Sequence, residues 1–269
     1  MALPAPGPDR TALVTGASSG IGAEIARTLS ERGHHVTLVA RSADRLEALA
    51  AELPGGAEVV AADLSDREAR TALPSRVHAS GRQVAVLVNN AGSSTLGPVS
   101  ASDPDAEMAM IEVDVVAVVD LCSRFLPGMV ARRRGAVLNV ASTAAFQPLP
   151  GQAGYGAAKA FVLSYTQSLA GELRGSGVTA TTLCPGPVDT GFGARAGFTK
   201  EDAEAALPQA MWVSAQEVAD RAVEGMAKGR LVVIPGSANR IAAALAHVTP
   251  RSLLLPMLAK SHPGLRSDR

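Results

Sequence analysis

Thr11-Ala-Leu-Val-Thr-Gly-Ala-Ser-Ser-Gly-Ile-Gly22 decides the fold of this chain. Its first five residues form an apolar run of strand length, and a helical segment from Ala23 to Arg32 follows, closed by Gly33. Between them lies a turn carrying Gly16, Gly20 and Gly22. A strand that enters a helix through glycines leaves backbone N–H groups facing outward at the helix N-terminus, where phosphate is held.

Outward from that turn the alternation continues. Val36 to Ala40 reads as a second strand, Ala43 to Glu52 as a second helix ended by Pro54-Gly-Gly56, and Glu58 to Ala62 as a third strand stopping at Asp63. This spacing requires parallel crossovers, hence a doubly wound, mostly parallel α/β sheet with helices on both faces. The second half repeats the pattern. Val84 to Val88 is a strand ending at Asn89-Asn-Ala-Gly92, and Asp103-Pro104 is a helix N-cap with proline at the first helical position. The helix it opens is expected to reach Arg132. Gly135 to Ala141 and Gly177 to Leu183 are the fifth and sixth strands, the latter broken by Cys184-Pro-Gly-Pro187. Thr199 to Leu207 reads as a short helix, Ser214-Ala-Gln-Glu217 as a capping box, and Leu231 to Ile234 as a seventh strand. No linker interrupts the series. Residues 1–269 are therefore expected to form one domain, with a lid over 190–211 and a C-terminal extension over 236–269.

Composition narrows the function. A formal net charge of zero gives no electrostatic reason to expect nucleic acid or an anionic membrane as partner, and 3% aromatic residues leave few base-stacking platforms. Cys122 and Cys184 are too few for a disulfide framework. Met1 to Pro8 lacks the layout of a signal peptide, and no apolar run approaches the roughly 18 residues of a membrane span. The five histidines show no metal-ligand spacing with the cysteines. A cytoplasmic, metal-free protein is the expectation.

Gly16-x-x-x-Gly20-x-Gly22 differs in spacing from the usual dinucleotide fingerprint, yet meets similar demands: a tight turn, close approach of pyrophosphate, and close helix–strand packing. Gly16, Ser18, Ser19, Gly20, Ile21 and Gly22 are the candidates for that contact, although glycines in such a turn also serve as plain turn residues. The end of the second strand bears on the choice of cofactor. NAD would call for Asp or Glu there, accepting from the ribose 2′-OH; this chain has Ala40-Arg41-Ser42. Arg41 suits a 2′-phosphate, so NADP(H) is favoured over NAD(H), with a plain surface arginine as the other reading. Asp63-Leu64 ends the third strand where the adenine edge would lie, and Asn90, Ala91 and Gly92 follow along the cofactor path.

Tyr155-Gly-Ala-Ala-Lys159 places a phenol and an ammonium one helical turn apart on one face. Bringing a phenol from a pKa of about 10 to about 7 takes ~4 kcal/mol of phenolate stabilisation. An ammonium ~4 Å away supplies energy of that order at an effective dielectric near 20. Ser142, thirteen residues earlier at a strand end, offers a hydroxyl for a substrate oxygen. An isolated Tyr-x-x-x-Lys would read as a surface pair; the company of Ser142 argues for a proton donor.

As a set, Thr15-Gly-Ala-Ser-Ser-Gly-Ile-Gly22, Asp63-Leu64, Asn89-Asn-Ala-Gly92, Ser142, Tyr155-x-x-x-Lys159 and Pro185-Gly-Pro-Val-Asp-Thr190 resemble the short-chain dehydrogenase/reductase family, over nearly the whole chain. The resemblance implies a Rossmann-like sheet of order 3-2-1-4-5-6-7 and hydride transfer between nicotinamide C4 and a carbonyl or alcohol carbon. It makes Tyr155 the proton donor or acceptor, and has Lys159 lower its pKa and hold the nicotinamide ribose. Ser142 would position the substrate oxygen, while Pro185, Gly186, Val188 and Thr190 would flank the nicotinamide. It also implies a homodimer or homotetramer built on the long helix and the Tyr155 helix. One residue departs from the pattern. Asp114 stands where the family usually has an asparagine supporting a water that leads to the lysine. Either its backbone serves equally, or its carboxylate partly cancels the pull of Lys159 on the phenol.

Phe146, Phe192, Phe198 and Trp212 fall in segments that line the substrate site in such enzymes, which favours a bulky apolar ketone, secondary alcohol or acyl-chain carbonyl. Ordinary packing beneath a loop is the competing account. Ile241 to Leu258 is apolar, read as a core cover or oligomer interface before a monotopic membrane contact. Cys184 reads as packing. The leading function is an NADP-dependent carbonyl reductase or alcohol dehydrogenase. Its rivals are an epimerase-type reaction on the same scaffold and a non-catalytic nucleotide sensor.

Overall fold

Valine, leucine and alanine dominate the strand segments with little alternation, as strands covered on both faces require. In the computed structural model, which describes residues 3–199 and 208–265, these segments form one seven-stranded sheet. The strands are β1 (Arg10–Thr15), β2 (Val36–Ala40), β3 (Ala57–Ala61), β4 (Gln83–Asn89), β5 (Gly135–Val140), β6 (Val178–Leu183) and β7 (Val232–Val233). Their order is β3-β2-β1-β4-β5-β6-β7 and every pairing is parallel. The expected fold class and strand order hold. Strand order reverses between β1 and β4, so a crevice opens at the C-terminal strand ends there.

The helices divide between the two faces. On one lie α1 (Gly20–Glu31), α2 (Ala43–Glu52) and a later helix over Ala215–Ala227, whose Ile25, Leu29, Leu46, Val218 and Met226 share a core with Val14 and Leu38. On the other lie α3 (Arg67–Ala79), α4 (Pro104–Ile111), α5 (Ala117–Ala131) and α6 (Ala153–Glu172); Leu73, Leu121, Phe125, Met129 and Val162 pack there against Leu13, Leu87 and Val137. A short α7 (Phe192–Arg195) follows β6, the later helix Ala215–Ala227 is α8, and α9 (Ser237–Val248) and α10 (Arg251–Ser261) close the chain.

Differences from the expected elements have local causes. Helix α3 was not foreseen, because Pro74 sits inside it and its apolar periodicity is weak. Buried Arg70 compensates: it donates to Asp120 Oδ2 at 3.1 Å and to the Leu64 carbonyl at 2.6 Å. The long helix from Pro104 does reach Ala131, but a π-helical segment, Glu112–Val116, interrupts it and carries Asp114. Such bulges frequently sit at functional sites. Asp103 caps α4 by accepting from the Asp105 N–H, and Ser214 caps α8 by accepting from the Glu217 N–H, both as the sequence indicates. The expected helix Thr199 to Leu207 lies, past the non-helical Thr199, outside the described residues. The apolar C-terminal stretch is buried on one side only: Ala243, Ala246 and Leu254 are buried, whereas Ile241, Leu245, Val248, Leu253 and Met257 are exposed.

Candidate active site

A cleft of about 1290 Å³ runs across the C-terminal strand ends, from Arg41 and Asp63 at one end to Trp212 and His262 at the other. Gly16, Ser18, Ser19, Gly20 and Ile21 line its middle, with Asn90, Ala91 and Gly92 facing them. Gly16 has φ +65°, and a Cβ there would lie 2.8 Å from the Ala91 Cα. Gly20 has φ +57°, and a Cβ would lie 2.8 Å from the Thr190 side chain. Side chains at either position would fill the groove. Gly22 is different: it does not line the cleft, and a Cβ would collide with the Gly16 carbonyl and the Asn90 amide. This is the close helix–strand packing expected of the last glycine of the turn. Thr15 and Asn90 brace the turn, since Thr15 Oγ1 accepts from the Asn90 and Ala91 N–H groups and the Asn90 amide donates to the Thr15 carbonyl.

These residues fit a dinucleotide. The N-terminus of α1 is capped by no side chain, carries no acidic residue in its first turn, and opens onto the cleft through Ser18, Ser19, Gly20 and Ile21. An anion is what such a terminus binds. Where a ribose 2′-substituent would lie, Arg41 is joined by Ser42 and by Arg45, which the sequence reading missed. Burial pushes the Asp63 carboxyl up, but hydrogen bonds from the Ser65 N–H and hydroxyl and the charge of Arg41 together hold it below its ordinary value.

Beneath the cleft the fold gathers Ser142, Tyr155, Lys159 and Asp114. Ser142 leaves β5 and caps a 3₁₀ turn, Thr143–Phe146, by accepting from the Ala144 N–H at 3.1 Å. Tyr155 and Lys159 share the first turns of α6, and the ammonium lies 5.5 Å from the phenol ring centroid. Lys159 is buried, donates to the Val140 carbonyl at 3.2 Å and pairs with Asp114 Oδ2 at 2.9 Å. Asp114 is fully buried and also accepts from the Ser93 N–H at 2.8 Å. The π-helical segment thus brings a carboxylate to the lysine that faces the tyrosine.

That carboxylate alters the electrostatics. Burial pushes the Tyr155 phenol above its ordinary value; Lys159 and a hydrogen bond from Ser142 pull it down, while Asp114 pushes it up. Lys159 thus acts on the phenol with the expected sign, while burial and Asp114 act against it. Lys159 is raised, desolvation being overcome by Asp114 and Tyr155, and burial raises Asp114. Burial likewise pushes the Cys184 thiol up to about 12, as its reading as packing implies.

Pro185, Gly186, Val188 and Thr190 line the cleft beside α1. Phe192, Phe198 and Trp212 line its far end, with the Phe192 ring 5.9 Å from that of Tyr155. Phe146 does not; it packs on the core instead. Two polar residues there were missed. Gln152 donates to Ser94 Oγ at 2.6 Å and lies 3.2 Å through its oxygen from His262 Nε2, and the His262 ring meets the Phe198 ring edge-on at 6.2 Å. Among the described residues no cluster of ligands could hold a metal, and no helix is long and apolar enough to cross a membrane.

A parallel sheet whose switch-point crevice combines an anion-binding turn with a tyrosine and lysine defines a nucleotide-dependent oxidoreductase. Residues 10–201 match the short chain dehydrogenase family, and the chain belongs to that family. A short chain dehydrogenase of Pseudocercospora fijiensis is 38% identical over 69% of this chain and 62% of its own length, so the chain spans less than two thirds of that relative. Among solved structures, a short-chain dehydrogenase from Sphingobium yanoikuyae in complex with NADPH is 32% identical with a TM-score of 0.78, over 97% of this chain and 99% of that one. The bulky-bulky ketone specific alcohol dehydrogenase from Comamonas testosteroni is 27% identical with a TM-score of 0.73, over 96% and 98%.

Proposed function

We propose that this enzyme is a single-domain NADP(H)-dependent reductase of bulky apolar ketones, or dehydrogenase of the matching secondary alcohols. The observation that carries the reading is the Lys159 ammonium 5.5 Å from the Tyr155 ring, at the floor of a cleft with an anion-binding turn on one side and aromatic walls on the other. When bound, the nicotinamide supplies or accepts a hydride at its C4. Ser142, with its oxygen already accepting from Ala144, hydrogen-bonds the substrate oxygen. Tyr155 gives its proton to that oxygen in reduction and takes it back in oxidation, and Lys159 steadies the phenolate. Arg41, with Arg45 beside it, selects the 2′-phosphate over a bare ribose; the Sphingobium relative's complex with NADPH supports this. The aromatic wall of Phe192, Phe198 and Trp212 supports the substrate class, as does the ketone preference named for the Comamonas enzyme.

Asp114 acts as a charge on this machinery rather than as a silent asparagine substitute, since its carboxylate touches Lys159 directly. Exposed Met108 and Phe161, on α4 and α6, favour a homo-oligomer, and free buried thiols suit a cytoplasmic setting. The test is NADPH oxidation with ketones and aldehydes graded from small to bulky, and with 3-oxo acids. Turnover rising with apolar bulk supports the proposal, and a preference for the acids sinks the substrate class. Product without net cofactor consumption means an epimerase, and tight NADPH binding without turnover a sensor.

A further inference from the structure

The chain is neutral as a whole, but its charges are not spread evenly. Between Gly225 and Ser267 there is no aspartate or glutamate, while Lys228, Arg230, Arg240, Arg251, Lys260 and Arg266 all fall there. The segment holding α9 and α10 is therefore strongly basic.

The same helices are two-sided. On α9, Asn239, Ala243 and Ala246 are buried, and Ala242, Ala243 and Ala246 line the far end of the cleft. Its opposite side bears Ile241, Leu245 and Val248, spaced i, i+4 and i+7 and 61%, 59% and 73% exposed. Arg240 and His247 stand exposed at the flank. On α10, Leu254 is buried and Leu258 lines the cleft, while Leu253 and Met257, one turn apart, are 68% and 60% exposed. Lys260 is exposed at its last turn.

From this arrangement the geometry points to a peripheral membrane contact: α9 and α10 dock on an anionic lipid surface, with the apolar stripes in the interfacial region and the cations at the headgroups. A short amphipathic helix with a basic polar margin lies in a bilayer interface, and neither helix is long enough to span one. Cationic residues close to a membrane gain from the negative potential of a leaflet rich in acidic lipid. A second copy of the chain is the poorer occupant. A two-fold interface joining this face to itself sets its basic margin against the same basic margin, and neither helix carries a carboxylate to pair with Arg240 or Lys260. Because the far sides of both helices line the cleft, an apolar substrate dissolved in the bilayer would meet the enzyme at the end where its binding walls lie.

Vesicle binding is read without turnover, so this proposal stands or falls apart from the redox reading. The full chain is sedimented with vesicles of phosphatidylglycerol and phosphatidylcholine, and with vesicles of phosphatidylcholine alone. Capture by the anionic vesicles is expected, weakening several-fold once salt shortens the screening length to about 3 Å near 1 M. The double variant Ile241→Glu/Leu245→Glu should stay in the supernatant. Arg240→Glu, which leaves the apolar stripe intact, should be captured several-fold less. Circular dichroism and thermal melting check that each variant is folded, and Leu253→Glu/Met257→Glu replaces the first pair if it is not. No capture by anionic vesicles at low salt overturns the proposal, as does equal capture by phosphatidylcholine alone. A dimer that the double variant converts to monomer, with no vesicle binding, assigns the face to a second copy instead.

Discussion

The two ends of the cleft are built differently. At the end expected to take the cofactor, the lining comes from the ends of β1, β2, β3 and β4 and is braced by hydrogen bonds across neighbouring strands, such as those from the Asn90 and Ala91 N–H groups to Thr15. At the substrate end the walls come from segments far apart in the chain: Gln152 from the start of α6, Phe192 and Phe198 from the stretch after β6, and His262 beyond α10. The first is set by backbone geometry that few sequences satisfy. The second is set by packing among side chains that many sequences could supply.

Tyr155 sits where the two ends meet, and its replacement should give the largest effect. Tyr155→Phe removes the transferable proton but keeps the ring that packs 5.9 Å from Phe192. Ketone reduction should fall about a thousand-fold, while NADPH affinity, measured by fluorescence titration, stays within about three-fold. Retained turnover would break the division of labour at its centre.

At the cofactor end, Arg41→Ala should raise the NADPH KM about ten-fold and leave kcat and the KM for NADH nearly unchanged, because the lost charge-assisted bond concerns the 2′-phosphate alone. The effect is modest because Arg41 is exposed and Arg45 remains beside it. Equal losses with both cofactors would remove Arg41 from the selection.

Asp114→Asn probes the junction from below. The variant keeps a hydrogen-bonding oxygen near Lys159 but removes a negative charge that pushes the phenol up. The phenol then becomes more acidic. Alcohol oxidation, which needs the phenolate, should set in at lower pH, and the alkaline limb of ketone reduction, which needs the protonated phenol, should also move to lower pH. An unmoved profile would make Asp114 an asparagine substitute and nothing more.

These contrasts also explain what could be read from the amino acids. Strand runs and glycine turns impose themselves locally, so the parallel α/β alternation and the α1 turn were legible from spacing, while the strand order came only with the family resemblance; motif singled out Ser142, Tyr155 and Lys159, which the fold gathers at the cleft. Gly22 carries two readings, ligand approach and packing, because both use the same residue type, and the structure describes the packing one. Helix α3 was hidden by Pro74, whose cost is offset by the tertiary bonds of Arg70, invisible in a local reading. The phenol's net shift needed the burial of its surroundings, which no spacing conveys. Gln152 and His262 are 110 positions apart, and only the returning C-terminal segment brings them together.

That last pair gives the smallest and most local test. His262 Nδ1 accepts from the Gly264 N–H at 3.2 Å, so the proton of the neutral ring belongs on Nε2, facing Gln152 Oε1 at 3.2 Å. Adding a second proton would set N–H against N–H at Gly264. Burial pushes the ring below its ordinary 6.5, in keeping with a neutral imidazole. A folded-state value below the unfolded one means that the unfolded chain binds protons more readily in that window. The contribution of His262 to stability is then full above pH 6.5 and is lost as pH falls from there towards the lowered folded value. His34 and His35 are lowered by burial too and add the same slope, so the wild type must be compared with a variant. His262→Asn keeps an acceptor for Gly264 but cannot titrate and does not reach Gln152. Its melting temperature should depend less on pH below 6.5 than that of the wild type. Losing one hydrogen bond worth about 1 kcal/mol should raise the KM for bulky ketones about five-fold, with kcat and NADPH affinity unchanged. A change in NADPH affinity instead would mean that the two ends of the cleft are coupled, and the contrast between them would not stand.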